Sequence, residues 1–314
     1  MIGGTGGITR MCSAVDFLEV YKIDKTFRIY PPEVLDPKEI DPNMPWMSKS
    51  ASDVGSANKI VARVFIQSSE AINNAPINER INKDDILRCM YRCKELLLIC
   101  EDRQASINNA VNQICEKIKK DGLKNKGRHF ESFPQVIKLD ERCAEFLSNA
   151  KNIIQTLAEL INAFYTTTFD GPRFDKIIKW AEMNLQHDQQ FLRYLKQIVP
   201  GLKNITDLRN TQEHPKKEKK LIIENFTLKP GGIVSVPMWY ISNDEPDDIH
   251  NTMKAIVKFL MDISEGIFLY CVMDNIKSPF PFIIRAVDDA TLDPQCPIKY
   301  FVEPDIRAFP PKNE

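Results

Sequence analysis

The chain has 314 residues, 43% of them hydrophobic and 27% charged, enough for one large domain or two modest ones with a real core and no need of covalent staples. Its 42 lysines and arginines nearly cancel its 43 aspartates and glutamates, which excludes a whole-molecule field toward nucleic acid or anionic membrane and makes any such binding local. No apolar run has membrane-spanning length and no charged-then-apolar leader is seen, so the expectation is a cytoplasmic protein with no membrane partner.

The opening Gly3-Gly4-Thr5-Gly6-Gly7 has the look of a phosphate loop, but no hydrophobic strand precedes it and no Lys-Ser/Thr pair follows, so it reads as a disordered leader. Residues 1–56 form an extended arm, punctuated by Tyr30-Pro31-Pro32, Asp36-Pro37 and Asp41-Pro42, with one strand candidate at Phe27-Arg28-Ile29-Tyr30. A first core helix starts near Asn58 and stops near Pro76. Ile86, Met90, Cys93, Leu97, Cys100, Gln104, Ile107, Val111, Ile114 and Ile118 then alternate spacings of four and three, the signature of one long helix to about Lys120. After a polar loop, Cys143, Leu147, Ala150, Ile154, Leu157, Ile161 and Phe164 repeat that spacing up to Asp170-Gly171-Pro172. Two such seams joined by a loop predict an antiparallel helical hairpin.

A further helix is expected from Phe174 to Val199-Pro200-Gly201, followed by a shorter one carrying Leu202, Ile205 and Leu208. Two β-type runs around Lys229-Pro230-Gly231-Gly232 predict a β-hairpin at 221–237, and a last helix follows Pro246 with Asp247 and Asp248 in its first turn. The tail, 276–314, is rich in proline and holds two strand candidates, Phe282 to Val287 and Ile298 to Val302. The expected fold is mainly α: a helical bundle with a long antiparallel helical hairpin over 57–275, a small β-hairpin insertion and irregular N- and C-terminal arms. The eight cysteines include five in helical stretches and lack a CxxC knuckle, so they read as core residues of a reducing compartment and no metal is expected.

One short segment carries sharper chemistry, Arg209-Asn210-Thr211-Gln212-Glu213-His214. An arginine four to six residues before a histidine, with asparagine second, resembles the signature of the HEPN superfamily (higher eukaryotes and prokaryotes nucleotide-binding), and the helical part, about 58 to 275, is what the resemblance covers. It implies metal-independent RNA cleavage with two motifs meeting across a homodimer interface, no cofactor, and a stress, toxin or defence setting. Within it, His214 is the general acid or base, Arg209 stabilises the phosphate and its transition state, and Asn210 positions them. The residue types suit those roles, since imidazole titrates near neutrality and a guanidinium offers phosphate a permanent planar fork. Lys216, Lys217, Lys219 and Lys220 follow at once and are the expected RNA-binding residues.

Pro215 departs from the family pattern, since it biases His214 away from helical geometry and places the motif at a helix-to-loop junction. The competing readings are a non-catalytic helical scaffold for protein partners, in which Arg209 and Asn210 pair internally and His214 lies on the surface, and a nucleotide-binding regulator. His129, His187 and His250 read as loop or helix-surface residues, while Trp46, Trp239 and Tyr240 suit either base stacking or a core.

Overall fold

A computed structural model describes residues 3–123, 125–126, 129–130, 133–169, 171, 173–185 and 189–308. In chain order the elements are β1 (Arg10–Ser13), β2 (Leu18–Tyr21), β3 (Thr26–Tyr30), a one-turn α1 (Pro32–Leu35) and β4 (Met47–Ser52). A π-helical turn (Val61–Ile66) leads into α2 (Gln67–Asn74), then α3 (Lys83–Asp121), the short pair β5 (Asn125–Lys126) and β6 (His129–Phe130), α4 (Leu139–Tyr165), α5 (Phe174–Asn184) and α6 (Gln189–Glu213). Then come β7 (Leu221–Glu224), β8 (Thr227–Lys229), β9 (Ile233–Ser235), β10 (Met238–Ile241), β11 (Asp247–Asp248), α7 (Ile249–Asn275), β12 (Phe282–Ala286) and β13 (Tyr300–Pro304). The protein is mainly α, with several small antiparallel sheets.

The two longest predicted helices form where their spacing places them. The α3 N-terminus is capped by Asn82, whose side chain accepts from the amide of Asp84 at 3.0 Å, and Asp84, Asp85, Lys119 and Lys120 match the helix dipole at its two ends. In α4 the 4-3 pattern becomes a buried face of Phe146, Leu147, Ala150, Ile153, Ile154, Leu157, Leu160, Ile161 and Phe164. The last helix, α7, starts where Asp248 accepts from the amide of Asn251 at 2.9 Å.

The chain divides into two compact units, one of residues 1–95, 155–192 and 261–314, the other of 96–154 and 193–260. Within the first, the arm expected to be irregular is a four-stranded antiparallel meander, β1-β2-β3-β4, that buries Cys12, Val20, Tyr21 and Phe27. A four-residue strand is too short to show alternation, and a glutamate, Glu19, is among the residues it buries. The leader is also folded back, with Thr5 donating to the Asp24 carboxylate from its amide (2.6 Å) and its hydroxyl (2.7 Å). Gly55 sits against that same turn. A Cβ there would lie 2.1 Å from the carbonyl oxygen of Lys22 and 2.5 Å from the amide nitrogen of Lys25, both backbone atoms. Gly55→Ala is therefore expected to lower stability by about 3 kcal/mol, the upper end for overpacking, read as a shift of the urea midpoint at unchanged slope.

Meander and helices of the first unit are joined by an ionic cluster with no solvent access at its centre. Lys94 Nζ lies 2.6 Å from Glu19 Oε2 and 3.0 Å from Glu95, and Arg28 reaches Glu19 (3.2 Å) and Glu95 (2.9 Å). The Tyr21 hydroxyl donates to Glu19, and the Lys94 ammonium stands 4.3 Å from the ring centre of Tyr91. Burial, with Glu19 beside it, raises the Tyr21 phenol well above its ordinary range and keeps it a donor. A second clamp holds the C-terminal hairpin β12-β13. Gln67 Oε1 accepts from the amides of Lys299 (2.9 Å) and Tyr300 (2.8 Å), while its Nε2 donates to buried Glu265 (2.9 Å), which also pairs with Arg63.

The one helix expected from Phe174 to Val199-Pro200-Gly201 is two, α5 and α6, and α6 runs on past the expected stop to Glu213. Pro200 removes one intrahelical hydrogen bond, but the buried stripe of Leu195, Ile198, Leu202, Ile205 and Leu208 runs on past it and keeps the helix docked. Gly201 permits the approach, since a Cβ there would meet the Phe259 ring at 2.6 Å. The predicted hairpin is present in β8-β9, yet Leu221–Glu224 bonds instead to β10, so the insertion is a nested pair of ladders reaching Ile241.

Candidate functional site

The hexapeptide occupies the last turn of α6, with Glu213 the final helical residue and His214 just beyond, its amide still donating to the Asn210 carbonyl at 2.9 Å. Pro215 has no amide hydrogen and cannot continue the ladder, which is why the helix ends here. Helical spacing then decides what meets what. Arg209 and Glu213, four apart, form an ion pair, and the arginine side chain is only 18% exposed. His214 stands 75% exposed with Nε2 3.4 Å from the same Glu213 carboxylate. Thr211, also in this turn, is buried and returns its hydroxyl to the Asp207 carbonyl, so it serves the helix.

Asn210 faces another helix. Its Oδ1 accepts a hydrogen bond from Lys151 Nζ of α4 at 3.0 Å. The Lys151 ammonium is held below the ordinary lysine value by partial burial and then by the positive charge of Arg209. Three of the residues expected to act, Arg209, Asn210 and His214, are thus brought into one surface together with Glu213 and Lys151.

The four lysines that follow are all exposed. Lys216 and Lys219 exchange backbone hydrogen bonds, amide to carbonyl, at 2.9 and 3.1 Å, so a tight turn presents Lys216, Lys217, Lys219 and Lys220 at the end of α6, with only Glu218 between them. The chain then passes directly into β7, where the Lys220 amide donates to the Ser242 hydroxyl at 3.2 Å.

Sequence reasoning missed Lys151, which sits in the amphipathic pattern of α4 as one more half-buried polar residue; nothing in its spacing distinguishes it. His250 Nδ1 is 2.8 Å from Gln104 Nε2 on α3, Trp239 is fully buried with its ring centre 6.4 Å from that of Phe146, and Tyr240 donates to Glu224 at 2.8 Å. Trp46 is exposed, His129 belongs to the β5-β6 pair, and His187 lies outside the described residues. None of the eight cysteines is in a disulfide, and burial pushes the thiols of Cys12, Cys89, Cys100 and Cys143 up to about 12, which disfavours their thiolates at neutral pH. Among the described residues, no group of three His, Cys, Asp or Glu side chains is placed to hold a metal ion, and no helix is long and apolar enough to cross a membrane.

Compared with family models, with curated proteins and with solved structures, the chain matches none.

Proposed function

We propose that the protein binds RNA through its phosphate backbone, on the surface formed by the end of α6 and the lysine turn. One observation carries this reading. Lys151, Arg209, Lys216, Lys217, Lys219 and Lys220 gather around one helix end, beside exposed His214, in a chain whose net charge is −1. Such concentration against a neutral background is the electrostatic footprint of a phosphate ligand. The resemblance of Arg209-Asn210-x3-His214 to the HEPN signature supports RNA as the bearer of that phosphate.

Binding is placed ahead of cleavage for two physical reasons. Arg209 is engaged by Glu213, so an incoming phosphate must compete for the guanidinium. The surface also sits at a helix C-terminus, whose carbonyls oppose an anion, and the lysines have to outweigh that field. Cleavage remains chemically open to the same residues: exposed His214, oriented by Glu213, could exchange a proton with a ribose 2′-hydroxyl while Arg209 takes up the growing phosphate charge. In the family it resembles, this chemistry needs two motifs across a homodimer, and a homodimer belongs to the proposal.

The test is incubation of the purified protein with mixed single-stranded RNA, without metal ions, beside the Arg209→Ala, His214→Ala double variant. The expected result is retention of RNA with a steep salt dependence. Metal-free cleavage that falls by roughly 10²-fold or more in the double variant would make the protein a ribonuclease as well. No retention even at low salt would overturn the reading and favour a scaffold for protein partners, for which the internal Arg209–Glu213 pair already speaks.

A further inference from the structure

We infer that Lys151 is a phosphate-binding residue of this surface and that Asn210 is its positioning residue, an inference that rests on the RNA-binding reading. α4 brings Lys151 to the hexapeptide, and no motif connects the two in sequence. The contact is made to a neutral amide oxygen, at 3.0 Å. That choice of partner matters: an ammonium has three donors, the amide takes one, and it fixes the nitrogen in place without cancelling its charge. An aspartate at the same position would hold Lys151 equally well and neutralise it.

The charge balance points the same way. Among the described residues, Glu213 is the one carboxylate in ion-pair contact with Arg209, and no carboxylate pairs with Lys151. Glu213 thus neutralises Arg209, which is mostly buried, while half-buried Lys151 beside it has no carboxylate partner of its own. Partial burial, and then the positive charge of Arg209, lower the proton affinity of Lys151. Helices packed for stability alone would place a carboxylate or an apolar residue at position 151. A phosphodiester would relieve the surplus, with Lys151 giving a point charge to one oxygen and Arg209 a fork once Glu213 yields it.

The experiment measures single-stranded RNA affinity against salt for the full chain and three variants. Lys151→Met is expected to bind about five- to tenfold more weakly near 0.1 M salt and to flatten the slope of log K against log salt by about 0.7, one phosphate contact. Lys151→Arg is expected to keep the slope. Asn210→Asp is expected to weaken binding like Lys151→Met while leaving the protein at least as stable as the wild type, a separation that a merely structural role would not produce. If the wild type binds RNA and Lys151→Met or Asn210→Asp binds it equally well at the same slope, the inference falls and the lysine-turn reading stands. If the wild type binds no RNA, both fall.

Discussion

Glu19→Leu is expected to be among the most damaging single substitutions in the first unit, lowering stability by about 3–5 kcal/mol in urea denaturation followed by circular dichroism. The reason is the number of groups it strands. Glu19 is fully buried and accepts from Lys94, Arg28 and Tyr21 together. Without it, Lys94 keeps Glu95 as its one carboxylate partner among the described residues, with a long 3.5 Å contact to the Tyr21 hydroxyl and the rings of Tyr91 and Phe65, and a buried phenol loses its acceptor. Removing one member of a buried pair leaves an uncompensated charge, whereas removing both can be close to neutral. The double variant Glu19→Leu, Lys94→Met should therefore recover a large part of the loss. A double variant that is merely the sum of the two singles would show that the cluster does not act as a unit.

The same cluster shows why the first 56 residues, apart from the strand expected at Phe27-Arg28-Ile29-Tyr30 and present as β3, could not be read from sequence. Strand recognition depends on alternation between apolar and polar residues, and β2, Leu18-Glu19-Val20-Tyr21, buries its glutamate together with both of its neighbours toward the C-terminus. Its partner Lys94 stands within the helical pattern of α3, where a lysine reads as solvated surface. Each residue is intelligible only once the other is in place, because the burial of either charge is tolerable only in the pair. By contrast α3, α4 and α7 were legible over most of their lengths, since helical periodicity is written many times over in a segment of 27 or 39 residues. Pro200 misled for a related reason. A local rule said stop, and a docked apolar stripe on both sides of it said continue.

The candidate site divides along the same line. Arg209, Asn210, His214 and the four lysines are contiguous in the chain, so a motif could find them. Lys151 is 59 residues from Asn210 and meets it only through the packing of α4 on α6. The role of Glu213 follows from the fold and not from spacing alone, because its separation from Arg209 predicts a pair on any helix but says nothing of His214 beyond the helix end, which shares the same carboxylate.

Replacing Lys216, Lys217, Lys219 and Lys220 together by glutamine should test the proposed surface most severely. If each lysine meets one phosphate of single-stranded RNA, the salt slope should flatten by about 3, and near 0.1 M salt the affinity should fall about 10²- to 10³-fold. The fold should be spared, because all four side chains are exposed and the turn is closed by backbone hydrogen bonds between Lys216 and Lys219. A stability change within about 0.5 kcal/mol is expected. The comparison that gives the measurement its force is a second variant, Lys117, Lys119 and Lys120 changed to glutamine near the end of α3, where the lysines are equally exposed. It removes nearly the same charge from the same unit. Affinity lost in the first variant and kept within a few-fold in the second would place the RNA at the end of α6. Equal losses would mean that the protein attracts RNA by diffuse charge alone, and the surface built from Lys151, Arg209 and His214 would lose its claim to be a site.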